Sequence, residues 1–126
     1  MANEITASAS LSYTNSAVNV NSAEALAIAG STFTIVGSRF SKGLFSVPTT
    51  ANGTAIPIPA GTLGWCIIKN NDSTNYVELM SAVSGTVFAK IAAGEVAMFR
   101  FPSTITAPAA IANTAAVKIE YLILEA

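Results

Sequence analysis

The sequence predicts an all-β fold: a single-domain antiparallel β-sandwich, jelly-roll-like, over residues 1–126. Three observations carry that prediction. The segment "EITASASLSY" alternates apolar and polar residues, and period two is the signature of a half-buried strand. Further on, apolar runs of five to seven residues are separated by Gly, Pro, Asn, Asp and Ser. Turn signals about every ten residues belong to sandwiches and barrels rather than βαβ units. Finally, 126 residues make one domain, which buries about two-thirds of its unfolded surface without needing a disulfide or metal.

Residues 1–4 are expected as an extended arm. In the first strand Ile5, Ala7, Ala9, Leu11 and Tyr13 share one face, with Glu4, Thr6, Ser8, Ser10 and Ser12 on the other. Val18 and Val20 point to a short strand. "SAEALAIAG" reads either as a helical turn between Ser22 and Gly30, favoured by Ala and Glu, or as a strand; the β context favours the strand. "STFTIVGSRF" and "KGLFSVPTT" are β-rich. Asn52-Gly53 is a turn signal, and Pro57 and Pro59 confine any strand there to a sheet edge.

"TLGWCIIK" has Leu63, Trp65 and Ile67 on one side and Cys66 and Ile68 on the other, which predicts a central strand or one covered on both faces. The strands "NYVELM", "GTVFAKI" and "VAMFRF" follow. "PSTITAPAAIANTA" (102–115) has no clean period and two prolines, and is predicted as an irregular Ala/Pro loop. The closing strand "AVKIEYLILEA" puts Val117, Ile119, Tyr121 and Ile123 on one face. Leu122 and Leu124 make the end of its other face apolar, so a second cover is expected there, from the domain itself or from a neighbour.

Charged residues are 10% of the chain, against roughly 25% in ordinary soluble domains. With six basic and seven acidic residues and a net charge of −1, nucleic acid is not an expected partner, since its binding rests on many cation–phosphate contacts. The low charge is either simply a feature of the chain or the mark of a surface buried against other subunits, since near-zero net charge promotes association. Cys66, the one cysteine, reads as a small buried hydrophobe. "MANEITASAS" lacks the features of a signal peptide, and no apolar run approaches the roughly 20 residues of a membrane helix. No membrane association is expected, and synthesis is expected in the cytoplasm.

Histidine is absent, which removes Ser-His, Cys-His and His-metal arrangements together. Ser41-Lys42 are adjacent in a basic turn, and "GSRFSKG" lacks the spacing of a phosphate-binding loop. Glu4, Glu24, Asp72, Glu78, Glu95, Glu120 and Glu125 are scattered one per strand or turn, which argues against a paired-carboxylate hydrolase. "NNDSTN" (70–75) offers a single carboxylate where a calcium site wants six to eight oxygens. Its Asn, Asp and Ser side chains instead suit bonds to their own backbone, which make a bend. The expectation is a non-enzyme with no cofactor and no metal.

Three pieces of the C-terminal half carry a family resemblance: "IIKNNDSTNYVEL", "KIAAGEVAMFRF" and "NTAAVKIEYLILEA". A strand leads into an Asn/Asp-Ser/Thr-Asn turn and an aromatic-Val-Glu strand. A "GE" turn opens an apolar strand with one arginine, Arg100, and a Thr-Ala pair opens a closing strand with Tyr121, Ile123 and Glu125. In these features the chain from Gly64 onward resembles small virion-associated structural proteins of tailed bacteriophages. The resemblance implies a structural role without catalysis.

The function expected is that of a capsid decoration, or cement, protein at the virion surface, binding the major capsid protein and stabilising capsomer seams. It would act as a homo-oligomer, with a trimer favoured over a dimer by the three-fold positions of shells. Alternatives are another virion component (head-fibre base, head–tail adaptor or tail protein) and, in a different class, a carbohydrate- or receptor-binding β-sandwich. The candidate subunit or shell contacts are Arg39, Phe40, Lys42, Phe45 and Arg100, beside the N-terminal arm and loop 102–115.

Overall fold

The computed structural model describes the backbone of residues 3–15, 22–35, 39–59 and 61–126, with side chains from residue 39 onward. The chain forms two compact units, Met1–Val36 and Gly37–Ala126. Every described element is a strand. The expected strand at Val18 and Val20 lies outside the described residues.

The first unit is a two-stranded antiparallel ribbon of β1 (Asn3–Asn15) and β2 (Ser22–Ile35). The strand reading of "SAEALAIAG" is the one observed. Strand β1 begins at Asn3, so the expected arm of residues 1–4 is already half strand. The register sets Ile5 against Phe33 and Leu11 against Leu26, with an irregularity between Ala7 and Ala9.

The second unit is the sandwich. Its strands are β3 (Phe40–Val47), β4 (Thr54–Ala55), β5 (Leu63–Asn70), β6 (Val77–Met80), β7 (Val87–Ile91), β8 (Val96–Arg100), β9 (Ala109–Ala112) and β10 (Val117–Glu125). Strand order is β3-β10-β5-β8 in one sheet and β4-β9-β6-β7 in the other. The chain doubles back at the β6–β7 hairpin, after which β8 returns to β5, β9 to β4 and β10 to β3. Winding such a double strand so that successive pairs alternate between two sheets is the jelly-roll topology. The expected sandwich is therefore present, but in residues 37–126 rather than across all of 1–126, because among the described residues the first two strands pair only with each other.

Each sheet turns one face inward. Val47, Cys66, Ile68, Val117, Ile119, Tyr121 and Ile123 come from one sheet, and Val77, Leu79, Ile91, Ala110 and Ala112 from the other, into a common buried cluster. Burial pushes the Cys66 thiol up to about 12, partly offset by a backbone hydrogen bond at Phe99, so it packs as a hydrophobe. Where the β7 and β8 edges of the two sheets meet, Phe88, Phe99 and Phe101 pack edge to face with centroids 4.9–6.4 Å apart. Phe88 is the residue left without a register partner between β6 and β7, and that bulge brings an otherwise exposed ring to the other two.

The two prolines after β4 were expected to mark an edge, and β4 is a two-residue edge strand. Before it, Asn52 and Gly53 both take positive φ (73° and 81°). A Cβ at Gly53 would press on the flexible end of Met80 (Sδ at 2.7 Å), which can yield, so the turn favours glycine chiefly for its conformation. The predicted loop 102–115 is corrected in part: it contains β9, whose Ala109, Ala110 and Ala112 are buried between β4 and β6.

Candidate functional site

The bend at 70–75 is built by its own side chains. Asn70, fully buried at the end of β5, donates from Nδ2 to the carbonyls of Asn75 (2.8 Å) and Ile91 (3.1 Å), and its Oδ1 accepts from the Asp72 N–H (2.8 Å). Asp72 Oδ1 accepts from the N–H groups of Asn75 (2.6 Å) and Thr74 (2.7 Å). These bonds favour the ionised form and hold the Asp72 carboxyl below its ordinary value, the Asn75 bond first and the Thr74 bond second. Asn75 Oδ1 accepts from the Thr114 hydroxyl at 2.7 Å. The loop's oxygens thus serve as turn and strap acceptors, the backbone role their residue types suit.

The outer face of the β3-β10-β5-β8 sheet is different in kind. Alternation that buries Ile119, Tyr121 and Ile123 sends Lys118, Glu120, Leu122 and Leu124 outward, and the same parity holds on its neighbours. Register assembles the outward residues into rows. One runs Lys42–Leu122–Ile67–Met98 and the next Leu44–Glu120–Lys69–Val96; Phe40, Leu124, Trp65 and Arg100 lie at the end of the sheet beyond the first row.

Five large apolar side chains stand exposed on this face: Phe40 (64%), Leu44 (67%), Val96 (54%), Ile67 (41%) and Met98 (38%). Single exposed apolar residues are ordinary; five on one sheet face, with Glu120 and Lys69 between Leu44 and Val96, make that face a candidate contact surface. A shallow groove of about 260 Å³ crosses it between Lys42, Ile67, Lys69, Val96, Glu120 and Leu122. Four of the six basic residues of the chain (Lys42, Lys69, Arg100 and Lys118) are exposed on the same face, with Glu120 as its one acid. The surface is therefore apolar and cationic within a chain of net charge −1.

Of the five candidate contacts, Phe40, Lys42 and Arg100 are brought together on this face. Arg39 is exposed just before it, its N–H donating to Glu125 Oε2 (3.1 Å) and its carbonyl accepting from the Glu125 N–H (2.9 Å), which pins the start of β3 to the end of β10. Phe45 has the opposite parity and packs against the core, its ring half-buried on the other face of the sheet. Leu44, Ile67, Val96 and Met98 were not among the candidates. Ile67 alone had a signal, the apolar second face of "LGWCIIK", read as a face under cover; it is open instead.

Among the described residues no group of three or more His, Cys, Asp or Glu side chains is placed to hold a metal. No helix of the described residues is long and apolar enough to cross a membrane. Comparison with protein-family models, with curated proteins and with solved structures returned no match.

Proposed function

We propose that this chain is a structural protein of a tailed-phage particle, a decoration or cement protein that docks on the outside of the shell through the outer face of its β3-β10-β5-β8 sheet. The observation that carries the reading is that face itself: five exposed apolar side chains and four cations on one rigid, four-stranded surface. The resemblance of the C-terminal half to virion-associated proteins supports the same reading, as does the use of jelly rolls in viral shells, an analogy of fold.

The mechanism would be mechanical. A specific contact of standard size buries about 1,600 Å², and apolar area removed from water contributes roughly 25 cal/mol per Å² before the costs of association. Copies laid across the seam between two capsomers must be stripped before the capsomers separate, and many copies on one lattice multiply that resistance. The cations would orient the approach to an acidic shell surface more than they would add affinity.

The test is quantitative mass spectrometry of purified particles, as copies of this chain per major shell protein. A simple fraction between one-third and one is the expected result for a cement protein. About a dozen copies would move the chain to a vertex, neck or tail role, and absence from particles would overturn the reading.

A further inference from the structure

The ribbon of β1 and β2 has two strand edges. Among the described residues neither strand pairs with a third. Each edge is long: 13 residues in β1 and 14 in β2, which at about 3.3 Å per residue span over 40 Å. Strands of the sandwich run from two to nine residues.

Natural sheets protect such edges with shortness, proline, lysine or bulges, and the sandwich of this chain uses all four. Edge strand β4 has two residues and is followed by Pro57 and Pro59. Edge strand β3 carries Lys42, β7 carries Lys90 beside a bulge, and β8 ends in Arg100 just before Pro102. The ribbon has almost none of this. All five prolines and all six basic residues of the chain lie after residue 38, leaving one register irregularity near Ser8 as the ribbon's only interruption. One chain thus guards every edge of one unit with these devices and leaves the two long edges of the other, as described, with a single irregularity and no proline or basic residue.

We infer that these edges join copies of this chain: β1 of one copy pairs with β2 of the next, and three ribbons close into a six-stranded ring. A lone two-stranded ribbon is marginal in water and gains stability from further strands. Heterologous edge pairing consumes both edges and closes when the rotation allows, leaving none to propagate. With all three ribbons running the same way around the ring, tilted and staggered as closure requires, the new pairs are antiparallel. Charge permits this: the ribbon's two acids lie near opposite ends, Glu4 against Thr34 and Glu24 against Tyr13, so pairing staggered by a few residues sets no carboxylates side by side. The register also sets Ile5, Ala9 and Leu11 opposite Phe33, Ile28 and Leu26.

Light scattering on the purified full chain at tens of micromolar should give three times the 12.9 kDa chain mass. Amide hydrogen exchange on the same sample reads the edges directly. In a lone ribbon alternate amides of β1 are bonded; in the ring consecutive ones are, and protection at consecutive residues is expected. Ser10→Pro and Leu11→Pro, made separately, bracket the two directions in which β1 amides point, and both should release monomers whose sandwich still melts within a few degrees of the parent. A monomeric parent, protection only at alternate β1 amides, or a proline variant that keeps the three-chain mass would each overturn the inference. The measurements use free protein, so their outcome is separate from attachment to a particle.

Discussion

The side-chain amide of Asn70 donates to the backbone carbonyl of Ile91 at 3.1 Å, and this bond joins the end of β5 in one sheet to the end of β7 in the other. Apolar side chains fill the space between the two sheets, and such contacts are not directional. Asn70 adds a directional tie and shares it with the 70–75 bend, through Asn75 and Asp72. A polar side chain at 0% exposure is tolerated because both ends of its amide are bonded.

Asn70→Leu should therefore destabilise the sandwich despite its added hydrophobicity. The change removes three hydrogen bonds and strips buried carbonyl oxygens of a donor, a loss of about 2–3 kcal/mol. For a unit of this size that lowers the melting temperature by on the order of 10 °C. Calorimetry checks it; a variant as stable as the parent would show that the tie between sheets adds nothing.

Asp72 sets an acid limb. Its folded-state carboxyl is held below the ordinary value by the Asn75 and Thr74 N–H bonds. The stability it contributes is complete above the unfolded value of about 3.9 and is lost as pH falls through the depressed folded one. Asp72→Asn keeps an oxygen acceptor for the turn but does not titrate. Melting temperatures measured between pH 6 and 2 should fall less steeply below pH 4 for the variant than for the parent. Superimposable profiles would remove Asp72 from the acid response.

How much of this was legible depends on the range of the forces involved. Pro57 and Pro59 marked β4 as an edge because a missing N–H is local chemistry, and the 70–75 bend was readable because Asp72 caps N–H groups two and three residues away. Strand β9 was not readable. Alanines at 109, 110 and 112 have no period, and the segment is a strand because β4 and β6 flank it. Phe45 was placed on the surface for want of its parity, which is set by the pairing of Val117 with Val47 some 70 residues apart in the chain. The split into ribbon and sandwich is likewise non-local: alternation in β1 predicts a strand, and only partner choice decides which sheet it joins.

Cys66 should be silent to thiol reagents in the folded protein. Its sulfur is buried and its thiol raised to about 12, so the reactive thiolate is scarce at neutral pH. Alkylation at pH 8 should be slower than for an unfolded control by about a hundredfold or more, and should become fast in denaturant. Rapid labelling without denaturant would mean that β5 opens readily.

Leu44 and Phe45 are chain neighbours on opposite faces of β3, and they separate the proposed attachment surface from the core. Leu44 is exposed in the row with Glu120, Lys69 and Val96, while Phe45 packs against the buried cluster. Leu44→Gln combined with Ile67→Gln removes apolar area from the outer face and leaves the interior untouched. The melting temperature should stay within a few degrees of the parent, while attachment to stripped particles weakens about tenfold or more if these side chains anchor the contact. Phe45→Ala should do the reverse. It costs about 2 kcal/mol, less than a fully buried ring, and binding per folded molecule should be unchanged. Attachment should also weaken with salt, because Lys42, Lys69, Arg100 and Lys118 surround the apolar residues. A sedimentation assay on stripped particles, run at two salt concentrations with all three proteins, decides the matter. Equal attachment by the Leu44/Ile67 variant and the parent would move the docking surface off this sheet.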